Sequence, residues 1–188
     1  MQELATSMNT LWSILAIVAQ VTSVVIIGIV LTRKTPAFLS PIITKISDKA
    51  VLITCIVSLL ATVGSLIYSD IIGYDPCTLC WFQRIFMYPL VILSAIALWK
   101  KDAMIRMYAL VLSVIGGCIA LFHYVGQLGF NPFGLECFAM GYSASCAKNF
   151  VLEFGYITIP LMAFSAFLLI STTLWLSLRN SKATENTY

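Results

Sequence analysis

The segment PCTLCWFQRIFMYPLVILSAIALWKK, residues 76–101, joins a Cys77-Thr78-Leu79-Cys80 motif to an apolar run that ends on two lysines. Between Trp81 and Trp99 the only charge is Arg84. A continuous run of roughly 20 apolar residues crosses a bilayer as a helix. Strands of a membrane barrel alternate over segments of about 10 residues, and this run does not alternate. The two cysteines therefore stand at the mouth of a transmembrane helix.

Four more runs have the same character, about Leu11 to Thr32, Ala50 to Ser69, Met107 to Leu128 and Tyr156 to Leu178. The whole chain is 60% hydrophobic and 10% charged, whereas a soluble domain carries about 25% charged residues. The expected fold is all-α: an integral membrane four-helix bundle core with one additional N-terminal transmembrane helix. The linker Arg33 to Lys49, with Pro36 and Pro41, is the expected boundary. The organisation read from this is 1–49 for the extra helix and a cytoplasmic linker, 50–179 for the four-helix core, and 180–188 for a cytoplasmic tail. A net charge of +3 gives no reason to expect a nucleic-acid partner; the expected surroundings are membrane lipid.

The first run does not read as a cleaved signal peptide. Such a peptide has a basic start and an apolar core of about 7–15 residues. Met1 to Thr10 contains Glu3 and no Lys or Arg, the apolar run is longer, and Arg33-Lys34 follow it. Nine of the eleven basic residues fall in three places: Arg33, Lys34, Lys45 and Lys49; Lys100, Lys101 and Arg106; Arg179 and Lys182. Basic residues collect in cytoplasmic loops. Five helices with the N-terminus outside and the C-terminus inside meet that rule at every loop. The segments Asp70 to Cys80 and Gly129 to Gly155 then both lie outside.

Cys55 and Cys118 fall inside apolar runs and read as small buried hydrophobes. Cys77, Cys80, Cys137 and Cys146 lie in short polar segments on the outer side, where an oxidising compartment lets thiols pair. Two thiol pairs at one membrane surface suggest transfer of electrons between disulfides and something dissolved in the lipid. Asp75 suits a helix N-cap and Pro76 the first helical position. Both cysteines would then sit in the opening turns of a helix, where free N–H groups and the helix dipole stabilise a thiolate. Arg84 follows Cys80 by one helical turn. It would stabilise that thiolate or a negatively charged oxygen on a ligand; otherwise it snorkels to the headgroups.

His123, the only histidine, has Gln127 one turn on. Both are either packing residues or hydrogen-bonding groups for a ring-shaped ligand with carbonyl oxygens. Cys137 and Cys146 stand in a segment with Gly134, Gly141, Ser143 and Ser145, suited to a static disulfide or to exchange with a visiting protein. Four cysteines also suit zinc. The wide spacing of the second pair and the oxidising side argue for disulfides, and no metal is expected.

Pro76-Cys77-Thr78-Leu79-Cys80 with Arg84, followed by His123, Gln127, Leu128, Pro132-Phe133 and Cys137, resembles the DsbB/BdbC family of membrane disulfide oxidoreductases. The resemblance covers about Ala50 to Leu178. It implies a membrane thiol–disulfide oxidoreductase of the bacterial cytoplasmic membrane. Such a protein reoxidises an extracytoplasmic thioredoxin-like (DsbA-like) partner and passes the electrons to a quinone, ubiquinone or menaquinone. By the same resemblance, Cys137 forms the mixed disulfide with the partner and Cys146 hands the electrons to Cys77. Cys80 faces the quinone beside Arg84, and His123 and Gln127 line its pocket. The first helix lies outside the resemblance. The Cys137 to Cys146 spacing is shorter than in proteobacterial members and nearer the Gram-positive type. Vitamin K epoxide reductase-like enzymes share the ingredients, but there the quinone-proximal CxxC follows the loop pair. A non-enzymatic membrane anchor or channel subunit with structural disulfides would leave the placement of Arg84 a coincidence.

Overall fold

The computed structural model of the protein describes residues 2–32, 40–102, 104–129 and 151–185. Six helices follow one another: α1 (Gln2–Thr32), α2 (Ser40–Asp48), α3 (Ala50–Leu66), α4 (Thr78–Lys100), α5 (Ile105–Gln127) and α6 (Ile159–Glu185). A π-helical turn, Ile67–Ile71, continues α3. Among the described residues the only strand-like pairing is an isolated antiparallel bridge between Glu153 and Ile157. The expected all-helical membrane fold is what the chain adopts. Among the described residues five helices are long and apolar enough to cross a membrane, over Ala5–Leu31, Ala50–Ile71, Thr78–Lys100, Ile105–Gln127 and Ile159–Ser181.

Helix α4 gives the scale. Its 23 residues span about 34 Å at 1.5 Å each, slightly more than a hydrocarbon core of roughly 30 Å. Trp81 and Trp99 are exposed near its two ends, as aromatic residues at the two lipid interfaces are. α3 packs on α4, α4 on α5, α5 on α6 and α6 back on α3, which closes a four-helix ring. α1 packs along α6, and α2 also lies against α6.

Lipid tails are as apolar as leucine, so close packing rather than water exclusion holds such helices together, and small residues let the backbones approach. α5 buries Ala109, Ser113, Gly116, Gly117, Ala120 and His123 along one stripe. α1 does the same with Ser13, Ala16, Ala19 and Ser23. Phe167 of α6 is fully buried, and its ring occupies the space in which a Cβ on Gly116 would stand. Gly117 is different, because a Cβ there would meet only the Phe167 Cβ, at 3.4 Å. Gly116→Ala is therefore expected to overpack the α5–α6 contact and lower stability by about 1–3 kcal/mol. Thermal unfolding in detergent, with Gly117→Ala as the milder comparison, checks this.

Three local expectations are corrected. α4 starts at Thr78, with Cys77 as its N-cap in an extended conformation (φ −70°, ψ 170°). Asp75 is thus not the cap. Proline fixes φ near −65°, a value shared by helix and extended chain, so Pro76 fits the extended approach equally well. The linker contains α2, whose Ile43 is buried with Ile26, Val30 and Leu176 while Lys45 and Lys49 are exposed. Cys118 is exposed and Cys55 only partly buried, so these two thiols are not core hydrophobes; Cys118 lies on a lipid-facing surface.

Candidate functional site

The start of α4 meets the end of α5. Cys77 is buried, at 4% exposure, and Cys80 is half-buried. Their sulfurs lie 3.5 Å apart, within easy reach of a disulfide bond of about 2.05 Å. As the N-cap, Cys77 offers its carbonyl to the Trp81 N–H at 3.1 Å, while its side chain makes no capping bond. The thiol turns instead toward Cys80 and toward His123, whose Nε2 stands 3.6 Å from the Cys77 sulfur.

His123 is itself held from the other side. Gln83 Nε2 lies 3.0 Å from His123 Nδ1. A side-chain amide nitrogen only donates. As assigned, Nδ1 is then the acceptor and Nε2 carries the proton that points at sulfur. The Cys77 thiol in turn donates to Cys80. In that tautomer the donors run from Gln83 to His123 to Cys77 and on to the Cys80 sulfur.

Arg84 does not turn to Cys80. Its Nε donates to Ser65 Oγ at 2.9 Å and its Nη2 to the Ser65 carbonyl at 3.0 Å. Its guanidinium lies over the Trp81 ring, 5.1 Å from the centroid. Tyr88 adds a hydroxyl 3.5 Å from Ser65 Oγ. An arginine carries five N–H donors, and Ser65 takes two. The planar head is therefore fixed, with donors to spare, beside a cavity of about 290 Å³ with mostly apolar walls. That volume is near the lower end for small-molecule pockets, roughly 300 Å³. Cys80, Arg84, Tyr88, His123 and Gln127 all line it.

Five sequence-derived candidates are thus gathered at one place: Cys77, Cys80, Arg84, His123 and Gln127 all contribute to this cavity. Cys137 and Cys146, like Pro132 and Phe133, lie outside the described residues. The chain is described again from Val151, which is buried and lines the same cavity. A tight turn follows, with Phe154 and Gly155 at positive φ (51° and 79°), closed by paired hydrogen bonds of 2.9 Å between Glu153 and Ile157.

Sequence reasoning passed over two residues. Gln83 is buried, at 6% exposure; an amide in an apolar run, three residues after Cys80, was the available signal. Ser65 had none, because one serine in a transmembrane run looks like any other. The two sulfurs and a His123 nitrogen lie within 4.8 Å of one another, a ligand set that a soft ion such as zinc accepts. Metal binding and disulfide exchange both work through thiolates.

Comparison with known proteins gives this geometry its context. Residues 47–177 match the model of the family described as disulfide bond formation protein DsbB. The chain belongs to the DsbB family. It is 41% identical over 125 residues to the probable disulfide formation protein C 1 of Bacillus anthracis, covering 65% of this chain and 87% of that protein. It is 41% identical over 117 residues to the disulfide bond formation protein C of Bacillus subtilis strain 168, covering 61% and 82%. The probable disulfide formation protein of Metapseudomonas resinovorans is 38% identical over 124 residues, covering 65% and 85%. No solved structure matches the chain.

DsbB-family disulfide formation proteins are oxidoreductases, and this member is a multi-pass bacterial membrane protein that supports disulfide bond formation. The DsbB match takes in α3 to α5, most of α6 and the segment bearing Cys137 and Cys146. It leaves α1 outside.

Proposed function

We propose that the protein is a protein-disulfide:quinone oxidoreductase that reoxidises an extracytoplasmic thioredoxin-like partner. The observation that carries this reading is the Cys77–Cys80 pair, with His123 against the Cys77 sulfur, at the wall of an apolar cavity that Arg84 also lines. The cavity suits a flat ring with carbonyl oxygens: apolar walls take the ring, and Arg84 has N–H donors beyond those held by Ser65. His123 and Gln127 complete its polar lining.

In the proposed cycle a thiolate of the reduced partner attacks the Cys137 sulfur of a Cys137–Cys146 disulfide. This forms a mixed disulfide and releases Cys146. The Cys146 thiolate attacks Cys77 of a Cys77–Cys80 disulfide, and Cys80 leaves as the thiolate. The partner's second thiol then displaces Cys137, and the partner departs oxidised. Cys137 attacks Cys146, restores the second disulfide and leaves Cys77 and Cys80 reduced. When bound, the quinone supplies the electron sink, accepting two electrons and two protons from that dithiol. Around it, Cys80 presents the reacting sulfur, His123 holds a proton at the Cys77 sulfur, and Arg84 orients an oxygen.

Covalent geometry supports the relay. Cys146 is five residues from Val151, at most about 18 Å of extended chain, and Val151 lines the cavity that Cys77 lines. In this reading residues 50–179 are the catalytic core, 1–49 an N-terminal addition with its linker, and 180–188 the tail. The N-terminus and both cysteine segments face the outside and the C-terminus the cytoplasm. Lys49, Lys100, Lys101 and Arg106 lie at the ends of α3, α4 and α5 away from Cys77, as that orientation requires.

The test is quinone consumption by the purified protein supplied with a reduced thioredoxin-like protein. One quinone consumed per partner disulfide formed is the expected result. No consumption with ubiquinone or menaquinone analogues, and all four outer cysteines locked in disulfides, would sink the proposal. Arg84→Ala is expected to raise the quinone KM roughly 10- to 100-fold. This is the equivalent of about 1.5–3 kcal/mol for a hydrogen bond from a charged donor. Unchanged quinone kinetics would return Arg84 to a merely interfacial role.

A further inference from the structure

Helix α1 lies outside the family match, which begins at residue 47, yet it reaches the site. Trp12, Leu15, Ala16, Val18 and Ala19 line the same cavity as Cys80 and Arg84. Trp12 also reaches α3. Gly64 has no side chain where the Trp12 indole lies, and a Cβ there would be 3.0 Å from Cε2 and Cζ2 of the ring. The next residue, Ser65, holds Arg84. One turn of α3 therefore seats the indole and the guanidinium side by side.

The cavity-lining stretch of α1 is pinned at both ends. Tyr68 donates its hydroxyl to Asn9 Oδ1 at 3.0 Å. Gln20 Nε2 donates to Ser165 Oγ at 2.9 Å, and Tyr156 donates to Gln20 Oε1 at 3.4 Å. Between these pins Trp12 lines the cavity, while its Nε1 is closed off from the open space and has no hydrogen-bond partner among the described residues. The indole ring, not its N–H, is therefore what a bound ligand would meet. Aromatic rings that pack offset or edge-to-face contribute about 0.5–1.5 kcal/mol beyond the area they bury.

We propose that α1 is a wall of the quinone cavity and that the Trp12 indole packs against the bound ring. This rests on the quinone reading above and adds a binding residue that the four-helix match does not contain. Trp12 is a positioning residue for the ring, and it makes the N-terminal helix part of the site.

Two experiments on the full-length protein in detergent test it. In the first, a photoreactive quinone analogue is irradiated with the wild-type protein and the labelled peptides are mapped. Label within residues 12–19 is expected, and label confined to α3–α6 overturns the proposal. This needs no variant and is independent of turnover. In the second, Trp12→Ala removes the indole, with Trp12→Phe, which keeps an aromatic ring, as the milder comparison. For Trp12→Ala the quinone KM is expected to rise up to roughly tenfold, with the KM for the protein partner unchanged. An unchanged quinone KM overturns the role of Trp12. Wild-type protein that neither reduces nor takes up label from quinone would instead bring down the underlying function, a result distinct from a quinone-active enzyme labelled only on α3–α6.

Discussion

Cys80→Ser is expected to reduce quinone consumption by on the order of 10³-fold or more, the scale on which a deleted nucleophile acts. Gln83, His123 and Cys77 follow one another in contact up to the Cys80 sulfur. A serine oxygen there accepts the same hydrogen bond, so the local fold should survive. It cannot form a disulfide with Cys77, however, so the two-electron change at this pair is lost completely. The measurement is the absorbance of the quinone with reduced partner present, for wild type and variant at equal concentration. A Cys80→Ser protein that turns over at the wild-type rate would remove Cys80, and with it the direction of the donor chain, from the mechanism.

Cys137→Ser is expected to separate the two halves of the reaction. Exchange with the protein partner should fall to background, a loss again on the order of 10³-fold. A small dithiol such as dithiothreitol should still reduce Cys77 and Cys80 directly, and quinone should still reoxidise them. The basis is the position of each pair. Cys77 and Cys80 stand on the wall of a cavity of a size for a small molecule, with no room for a protein, so in the proposed cycle the partner needs an intermediary. If the variant oxidised the partner as fast as wild type, the assigned relay would be refuted. If dithiothreitol-driven quinone reduction were also lost, Cys137 would have a place at the quinone-facing pair itself.

The fold was legible where the physics is continuous along the chain. A long apolar run needs no partner to declare itself a membrane helix, so all five spans were readable to within a few residues, except that α1 begins well before Leu11. α2 was not readable. It is nine residues with Pro41 in its first turn, and it is secured by Ile43 and Ser47 meeting α1 and α6, contacts remote in sequence. Within the site, Cys77, Cys80 and Arg84 announced themselves by spacing. The His123–Cys77 and Gln83–His123 contacts join residues 46 and 40 positions apart, and no local pattern encodes them. Trp12 was hidden for the same reason: its importance depends on the absence of a side chain at Gly64.

The buried anchor at Val151 has a kinetic consequence. A thiol held five residues from a fixed point cannot leave the neighbourhood of the first pair. Short flexible tethers give effective concentrations in the millimolar range. In the proposed relay, transfer from Cys146 to Cys77 is then a unimolecular event, independent of how sparsely the protein is distributed in the membrane. Small thiols at lower concentration compete poorly for Cys77. In that scheme only the arrival of the partner and of the quinone retains a dependence on concentration, so the proposed flux follows the supply of the two substrates.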